Sequence, residues 1–293
     1  MKLLSYNIQY GFGADGRHDL TRAAQVIAGA DIAALQEVDR HWQRSAGQDQ
    51  PALLAAALPD HYTAFAPGFD MAAALPGDRN RRRQFGPMIA SRWPIAWTRT
   101  HLLPMRRMID PLNTQSCALE AMIATPLGPL RVVSVHLAHV GVAERLAQID
   151  LLLHLQSQTR VMGGPWSGRD DEPQRNWTEG APAPVCPDSA IWLGDFNCEP
   201  GSAEMDRLLG STPYHPGARY DGAMIDAAAV VGATYHTHAK VIAGAPRLRR
   251  LDHCLLTADL APHVARVWSE MDNPASDHAP LWVTLQDRPG GIA

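Results

Sequence analysis

The chain has 293 residues, of which 46% are hydrophobic and 19% are charged, and its formal net charge is −4 at pH 7. This composition supports a substantial buried core and excludes global disorder. The acidic balance excludes a broad basic field that recruits nucleic acid, so nucleic-acid binding would have to use a local patch.

The cysteines and the N-terminal residues indicate the cellular compartment in which the protein is expected. The chain has four cysteines at widely separated positions: Cys117, Cys186, Cys198 and Cys254. They lack the paired spacing of a zinc site and favour a reduced, cytoplasmic setting. Polar residues interrupt the apolar run of residues 1–9, which is not typical of a signal peptide, and no apolar stretch is long enough to predict a membrane span.

The first elements of the chain are a strand and a helix. Residues 2–9 predict a strand with Asn7 near its end, followed by a glycine-rich turn. Asn7 could cap that turn, or it could serve a functional site. Asp19 is typical of an N-cap and begins a predicted helix over 20–28 with one apolar face.

A second strand is predicted over residues 32–35, and it delivers Glu37. A glutamate directly after a buried apolar run needs a partner or a metal, because burying its charge alone is costly. Residues 67–77 are expected to form a loop. The basic run that follows, at 79–83, fits either a solvated face or a phosphate-binding segment, and both interpretations stay open.

The middle of the chain predicts further strands and one long helix. Glu120 is expected on a half-buried strand with its side chain toward solvent. The apolar run 130–135 presents His136, and His139 follows in the adjoining loop with no assigned role. Apolar residues at helical spacing predict a helix over 144–161.

Residues 163–189 are rich in Gly, Pro and Asp and have no periodicity. A structureless segment of this length is uncommon in a compact domain unless it is a lid, a binding loop or disordered. Trp166 and Trp177 favour an ordered surface. We therefore expect this segment to overhang the functional site as a lid.

A short buried strand at 190–193 leads into Asp195 and Asn197. Strand alternation points these two side chains to the same side, where they offer acceptors for a metal, a water or a reacting oxygen. An Asx turn that closes the strand is the structural alternative. Both interpretations are open from these residues alone.

Two groups of residues near the C-terminus are candidates for catalysis or metal binding. Asp252 begins an apolar run, and Asp277 and His278 precede the last one. A carboxylate such as Asp252 can fix the tautomer of His278 and stabilise its protonated form. His236 and His238 alternate in a way that suits a metal, but no motif supports a ligand role for them.

Six of these segments, in this order, resemble the endonuclease/exonuclease/phosphatase family of metal-dependent phosphoesterases. They are Ser-Tyr-Asn at 5–7, Gln-Glu-Val-Asp at 36–39, Ser-Val-His at 134–136, Gly-Asp-Phe-Asn at 194–197, Leu-Asp-His at 251–253 and Ser-Asp-His-Ala-Pro at 276–280. The resemblance implies a four-layer α/β sandwich, with two packed, mostly antiparallel or mixed β-sheets flanked by helices. We expect one such domain over residues 1–293.

The resemblance also implies the site residues. It makes Glu37 the principal ligand of Mg²⁺, with Asn7 and Asp277 beside it and Mn²⁺ as an alternative ion. The catalytic residues that it implies are His136, Asp195, Asn197, Asp252 and His278. Asp195 or His278 would act as the base toward water, and the sequence leaves that choice open.

The function that we predict is Mg²⁺-dependent hydrolysis of a phosphodiester or phosphomonoester in a small or lipid-derived substrate. One alternative is a nuclease, whose arginines at 79–83 and 247–250 would contact the nucleic-acid backbone. A catalytically inactive binding module is disfavoured, because every site residue is present. The sequence leaves the leaving group and the oligomeric state open.

Overall fold

A computed structural model describes residues 1–287 of the chain, apart from 213, 214, 216 and 243. The C-terminal end of the expected domain, residues 288–293, lies outside the described residues. None of the helices described is long and apolar enough to cross a membrane.

The strands and helices are numbered here in chain order. The strands are β1 (Lys2–Asn7), β2 (Ile32–Arg40), β3 (Tyr62–Phe65), β4 (Phe69–Ala72), β5 (Arg82–Ser91), β6 (Ile95–Leu102), β7 (Cys117–Thr125), β8 (Gly128–His136), β9 (Ala190–Asp195), β10 (Ile225–Asp226), β11 (His238–Ile242), β12 (Ala245–Arg249), β13 (Asp252–Leu256), β14 (Val264–Ser269) and β15 (Leu281–Leu285). The α-helices are α1 (Leu20–Ile27), α2 (Gln50–Ala57), α3 (Val142–Ser157), α4 (Thr159–Met162), α5 (Ala203–Leu209) and α6 (Ala227–Val231). Short 3₁₀ helices occupy Gln9–Gly11, Gln43–Ser45, Pro173–Arg175 and Ala258–His263.

Two mixed sheets form the centre of the fold. The first has seven strands in the order β14-β15-β1-β2-β5-β3, with β4 also paired to β5, and the second has six in the order β10-β13-β9-β8-β7-β6. Each sheet contains one parallel pair, β1 with β2 and β8 with β9. The hairpin of β11 and β12 stands apart from both sheets.

The apolar side chains divide into three cores that separate four layers. One core lies between the sheets and joins residues such as Leu3 and Ile89 of the first sheet to Val132 and Leu193 of the second. A second core packs α1 and α2 against the outer face of the first sheet, and a third packs α3 and α5 against the second. The predicted four-layer α/β sandwich is confirmed.

The expected N-cap of the first helix is present, but three expectations about other elements need correction. The Asp19 carboxylate accepts a hydrogen bond from the backbone N–H of Thr21 at 3.0 Å. Residues 67–77 contain a strand, β4, which pairs with the first residues of β5, Arg82 to Phe85. The helix predicted over 144–161 is divided, since α3 ends at Ser157 and α4 follows.

The third correction concerns Glu120, which is buried rather than directed to solvent. Its side chain accepts hydrogen bonds from Arg131 and His101, each at 2.8 Å. Burial raises the pKa of the Glu120 carboxyl, but these two partners outweigh it and lower that pKa overall. The expected solvent exposure of Glu120 was wrong because β7 is an interior strand of the second sheet, flanked by β6 and β8.

The long segment 163–189 is anchored away from the end of the second sheet where β9 finishes. Trp97 donates to the Val185 carbonyl at 2.9 Å and Arg131 donates to the Pro187 carbonyl at 2.6 Å. These anchors lie near the start of β9, and Asp195 lies at its other end, a strand length of about 17 Å away. The described contacts therefore give no support to the lid interpretation.

Candidate active site

Asn7, at the end of β1, bridges the two sheets. Its side-chain oxygen accepts the backbone N–H of Gln9 at 3.0 Å. That contact turns the Asn7 amide nitrogen toward Glu37 Oε1 at 3.1 Å and Asp195 Oδ2 at 3.3 Å. The buried amide thus presents donors to two carboxylates, an orientation that suits a positioning residue better than a metal ligand.

Glu37 lies at an irregularity in β2. The pairing of β2 with β5 shifts register between Leu35 and Val38, and Glu37 has a φ of 58°, a left-handed conformation that is uncommon for glutamate. Beside it, Gln36 is fully buried and donates to Ser134 Oγ of the second sheet at 3.1 Å. The bulge fixes the half-buried position of Glu37 at the end of the sandwich, while Gln36 joins the two sheets.

Three predicted catalytic residues lie abreast on neighbouring strands of the second sheet. His136 on β8 is the register partner of Asp195 on parallel β9, and Asp195 is the register partner of Asp252 on antiparallel β13. Close approach of β8 and β9 depends on Gly194, where a Cβ atom would lie 1.9 Å from the Val135 carbonyl oxygen. The residue before Asp195 therefore has to be glycine.

Asp195 is the centre of the arrangement. Its Oδ1 accepts the backbone N–H of Asn197 at 2.8 Å, and its Oδ2 lies 3.6 Å from His136 Nε2 and 3.7 Å from His278 Nε2. Burial raises the pKa of the Asp195 carboxyl, but the charges of His278 and His136 and the N–H donors outweigh burial and lower that pKa. Asp195 is therefore an ionised carboxylate held between two histidines.

His278 is oriented by Asp252, as the sequence predicts. His278 Nδ1 lies 2.8 Å from Asp252 Oδ2, and Asp252 is fully buried. Burial lowers the pKa of His278, but the carboxylates of Asp252, Asp195 and Asp277 outweigh it and raise that pKa to about 10. The ring is an imidazolium at neutral pH, and its Nε2–H is free to serve as a donor.

Asn197 and Asp277 complete the predicted set. Asn197 has a φ of 51°, and its amide nitrogen donates to the Leu137 carbonyl at 2.9 Å, which leaves its side-chain oxygen as an acceptor. Asp277 Oδ2 accepts from Gln9 Nε2 at 2.8 Å. Burial is the main cause that raises the pKa of Asp277, and repulsion from Glu37 adds to it against the opposing charge of His278.

The donor set fits a divalent cation. Glu37, Asp195 and Asp277 bring carboxylate oxygens to one end of the sandwich, and oxygen is the ligand that Mg²⁺ prefers. A cation beside Glu37 and Asp277 would relieve the repulsion between them. Two compact groups of potential ligands lie at this end, and within each group all ligand atoms lie within 4.8 Å of one another. One group is His238, Asp277 and His278, and the other is Asp195, Asp252 and His278.

Glu37 belongs to neither compact group among the described residues. The two compact groups nevertheless give the structure an acidic candidate metal site. The specific ligand set of Asn7, Glu37 and Asp277 stays a prediction.

Comparison with known proteins identifies the family. The model of the endonuclease/exonuclease/phosphatase family matches residues 4–278. The chain belongs to this family. Family members are metal-dependent hydrolases of phosphate esters, so the chain is a phosphoesterase that requires a divalent metal. No curated protein matches it significantly.

Solved structures of similar fold include members of the same family. A family protein from Leptotrichia buccalis has 16% identity and a TM-score of 0.63, with 98% of this chain and 99% of that chain covered. A mannosyl-6-phosphatase from Bacteroides thetaiotaomicron has 17% identity and a TM-score of 0.60, with 98% and 99% covered. D. rerio TDP2, complexed with a single-strand DNA product, has 16% identity and a TM-score of 0.57, with 98% of both chains covered. At these identities the likeness shows the fold alone.

His238, to which the sequence assigned no ligand role, lies beside the predicted site residues. Its ring lies edge-on to the ring of His278 at 4.9 Å, and Arg249 bonds its Nδ1 at 3.0 Å. Burial lowers the pKa of His238 to about 4, and the charges of His278 and Arg249 contribute. His238 is therefore a neutral ring packed against the charged one.

The other histidines singled out from the sequence lie outside these contacts. His236 and His139 are both exposed. His236 does not share the half-buried environment of His238 and belongs to neither compact group, so the described contacts give no support to a joint role for the two. His253 is fully buried and bonds the Cys198 carbonyl at 2.9 Å beside Phe196. It supports the strand that carries Asp252.

Proposed function

We propose that the chain hydrolyses a phosphodiester or phosphomonoester of a small or lipid-derived molecule, with Mg²⁺ as the preferred ion and Mn²⁺ as a substitute. The observation that carries the proposal is the position of Asp195, an ionised carboxylate between His136 and His278. One acceptor flanked by two donors suits a water molecule that attacks a phosphoryl group.

Asp195 is the base in this proposal. Its lowered pKa keeps it ionised, and the N–H groups of Asn197 and Asn7 fix its orientation. His278 cannot accept a proton in its imidazolium form. It donates instead, from Nε2, to a phosphoryl oxygen as negative charge builds there.

The remaining residues position the reacting groups. His136 donates to a second phosphoryl oxygen, and the free side-chain oxygen of Asn197 accepts from the attacking water. Glu37 and Asp277 would hold the metal, and Asn7 orients Glu37. When bound, the metal neutralises the phosphoryl oxygens and stabilises the leaving oxygen.

Three arginines of the two basic runs are already paired with carboxylates. Arg82 pairs with Asp70 at 2.8 Å, Arg247 with Glu199 at 2.8 Å and Arg250 with Asp226 at 2.7 Å. Cations that are already paired contribute little to binding a phosphate backbone, which rewards free lysines and arginines. The pairing of these three arginines therefore supports a small substrate over a nucleic-acid backbone.

We further propose that the described residues act as one domain in the cytoplasm. Residues of both sheets meet at the site, so neither half carries it alone. All four cysteines are free, which suits a reducing compartment.

The experiment that tests the proposed function compares four substrates with Mg²⁺ or Mn²⁺: bis-p-nitrophenyl phosphate, p-nitrophenyl phosphate, a phosphocholine ester and plasmid DNA. Glu37→Gln is the matched control, because it keeps the side-chain shape and removes the charge. Turnover of the small esters with intact plasmid supports the proposal. Plasmid cleavage that Glu37→Gln abolishes would establish a nuclease instead.

A further inference from the structure

A cleft beside the candidate metal site is lined, apart from Asp277, by residues that the proposed chemistry leaves unused. It has a volume of about 430 Å³, and its walls include Gln9, Tyr10, Arg44 and Asp277. This volume lies in the range of small-molecule sites. Because Asp277 belongs to both the cleft and the candidate metal site, a substrate with its phosphoryl group at the metal would extend into the cleft.

Arg44 is held in the cleft wall by a buried carboxylate. Its Nε and Nη2 atoms donate to the two oxygens of Asp39 at 2.9 and 2.8 Å. Asp39 is fully buried and also accepts from Ser45 Oγ at 3.0 Å. Burying a carboxylate is costly unless it is paired, so this arrangement fixes one orientation of the Arg44 side chain.

Aromatic rings hold the guanidinium plane. Its central carbon lies 4.0 Å from the ring centre of Tyr10, 5.2 Å from that of Phe85 and 5.3 Å from that of Trp42. These contacts and the Asp39 pair leave the Arg44 side chain 43% exposed. The guanidinium is thus rigid and also open to the cleft.

The unused edge of the guanidinium has a defined chemistry. A guanidinium presents two forked edges, and Asp39 occupies the one formed by Nε and Nη2. The other edge, formed by Nη1 and the second hydrogen of Nη2, has no partner among the described residues. Such an edge binds the oxygens of a phosphate or carboxylate in pairs.

We propose that Arg44 is a specificity residue that binds a second anionic group, a phosphate or a carboxylate, on the part of the substrate that occupies this cleft. The inference rests on the proposed function, since it takes the hydrolysed phosphoryl group to lie beside Glu37 and Asp277. It narrows the substrate class to small phosphate esters with two anionic ends.

The test measures binding by calorimetry with Mg²⁺ in the Asp195→Asn protein, which prevents turnover. Two matched ligand pairs each differ by one anionic group: fructose 1,6-bisphosphate against fructose 6-phosphate, and 3-phosphoglycerate against glycerol 3-phosphate. We expect the doubly anionic member of at least one pair to bind about tenfold more tightly. Discrimination in the first pair identifies a phosphate subsite, and discrimination in the second identifies a carboxylate subsite.

Variants then assign the effect to Arg44. Arg44→Gln should abolish the discrimination while leaving the Kd of the singly anionic ligand within about twofold. Arg44→Lys keeps a charge for Asp39 but loses the fork, so it should reduce the discrimination without unfolding the chain. Arg92→Lys is the control, because Arg92 pairs with Asp31 at the opposite end of the first sheet.

Equal Kd values within both pairs would overturn the proposal, and so would discrimination that survives in both Arg44 variants. This outcome is separate from failure of the proposed function. That failure appears as absent turnover of bis-p-nitrophenyl phosphate, whose leaving group carries no second anion.

Discussion

Asn7 Nδ2 lies 3.3 Å from Asp195 Oδ2, although the two residues belong to different sheets. The same amide lies 3.1 Å from Glu37. One neutral side chain therefore sets the spacing between a carboxylate proposed for the metal and a carboxylate proposed for the water. Its two N–H groups are matched to two acceptors, which no charged side chain of similar size can reproduce.

We expect Asn7→Ala to lower kcat/KM by about 10- to 100-fold, because each hydrogen bond to a carboxylate contributes about 1.5–3 kcal/mol. Asn7→Asp should be worse, since it places a third negative charge between two others. Steady-state kinetics on bis-p-nitrophenyl phosphate measure both. Asn80→Ala, at an exposed position, is the control, and equal activity of Asn7→Asp and wild type would refute the role.

Asp195→Asn should lower kcat by about 10²- to 10⁴-fold, the usual contribution of a general base. The protein should stay folded, because the amide keeps an acceptor for the Asn197 N–H. Circular dichroism and single-turnover kinetics together measure this. Asp60→Asn, at an exposed position, is the matched control; a turnover-competent Asp195→Asn protein would transfer the role of base to another group.

The pH dependence of kcat/KM should follow the charge on His278. Its pKa is raised to about 10, so the donor form prevails at neutral pH and is lost as the pH rises through that value. Asp252→Asn removes the largest cause that raises this pKa, and the alkaline limb of kcat/KM should move down by about one pH unit or more. Imidazole NMR titration checks the pKa independently. An unchanged limb and an unchanged titration would contradict the charged-donor role.

At position 37, glycine should stabilise the protein more than alanine does, which reverses their usual order in a strand. Its φ of 58° costs a residue with a Cβ about 1 kcal/mol that glycine does not incur. Glu37→Gly and Glu37→Ala should both lose metal-dependent turnover, yet the glycine variant should have the higher Tm. Thermal unfolding compares them directly, and a more stable alanine variant would show that the strain is absent.

Gly194→Ala should destabilise the chain by about 1–3 kcal/mol, because its Cβ would overlap the Val135 carbonyl and force β9 away from β8. Activity should fall with it, since Asp195 follows directly. The control is Gly141→Ala, where a Cβ meets no atom within 4 Å. Urea unfolding that gives the same midpoint for both variants would refute the close approach.

The sequence predicted the residues at strand ends well. Apolar runs ending in Asn7, His136 and Asp195 indicated strands, and parallel pairing brings such ends together at one edge. The prediction that Glu120 faces solvent was wrong, because alternation does not reveal whether a polar residue is matched by buried partners on neighbouring strands. His101 and Arg131 are those partners, and both come from separate strands.

The sequence could not predict the contacts made by loops. Gln9 reaches Asp277 across most of the chain length, and His238 meets His278 through a hairpin that belongs to neither sheet. Arg44 follows Glu37 closely in the chain, but its exposure in the cleft depends on Asp39 and on the aromatic rings around it. Such contacts have no periodic signal.

The division of the site between the sheets makes catalysis a reporter of tertiary packing. Glu37 belongs to the first sheet and His136 and Asp195 to the second. The core between the sheets, together with the hydrogen bonds of Asn7 and Gln36 across it, keeps these groups in register. A loosened state that retained every strand but let the sheets slide by an ångström would keep its circular dichroism spectrum and lose turnover. Loss of activity on mild heating or in dilute denaturant should therefore precede any loss of secondary structure.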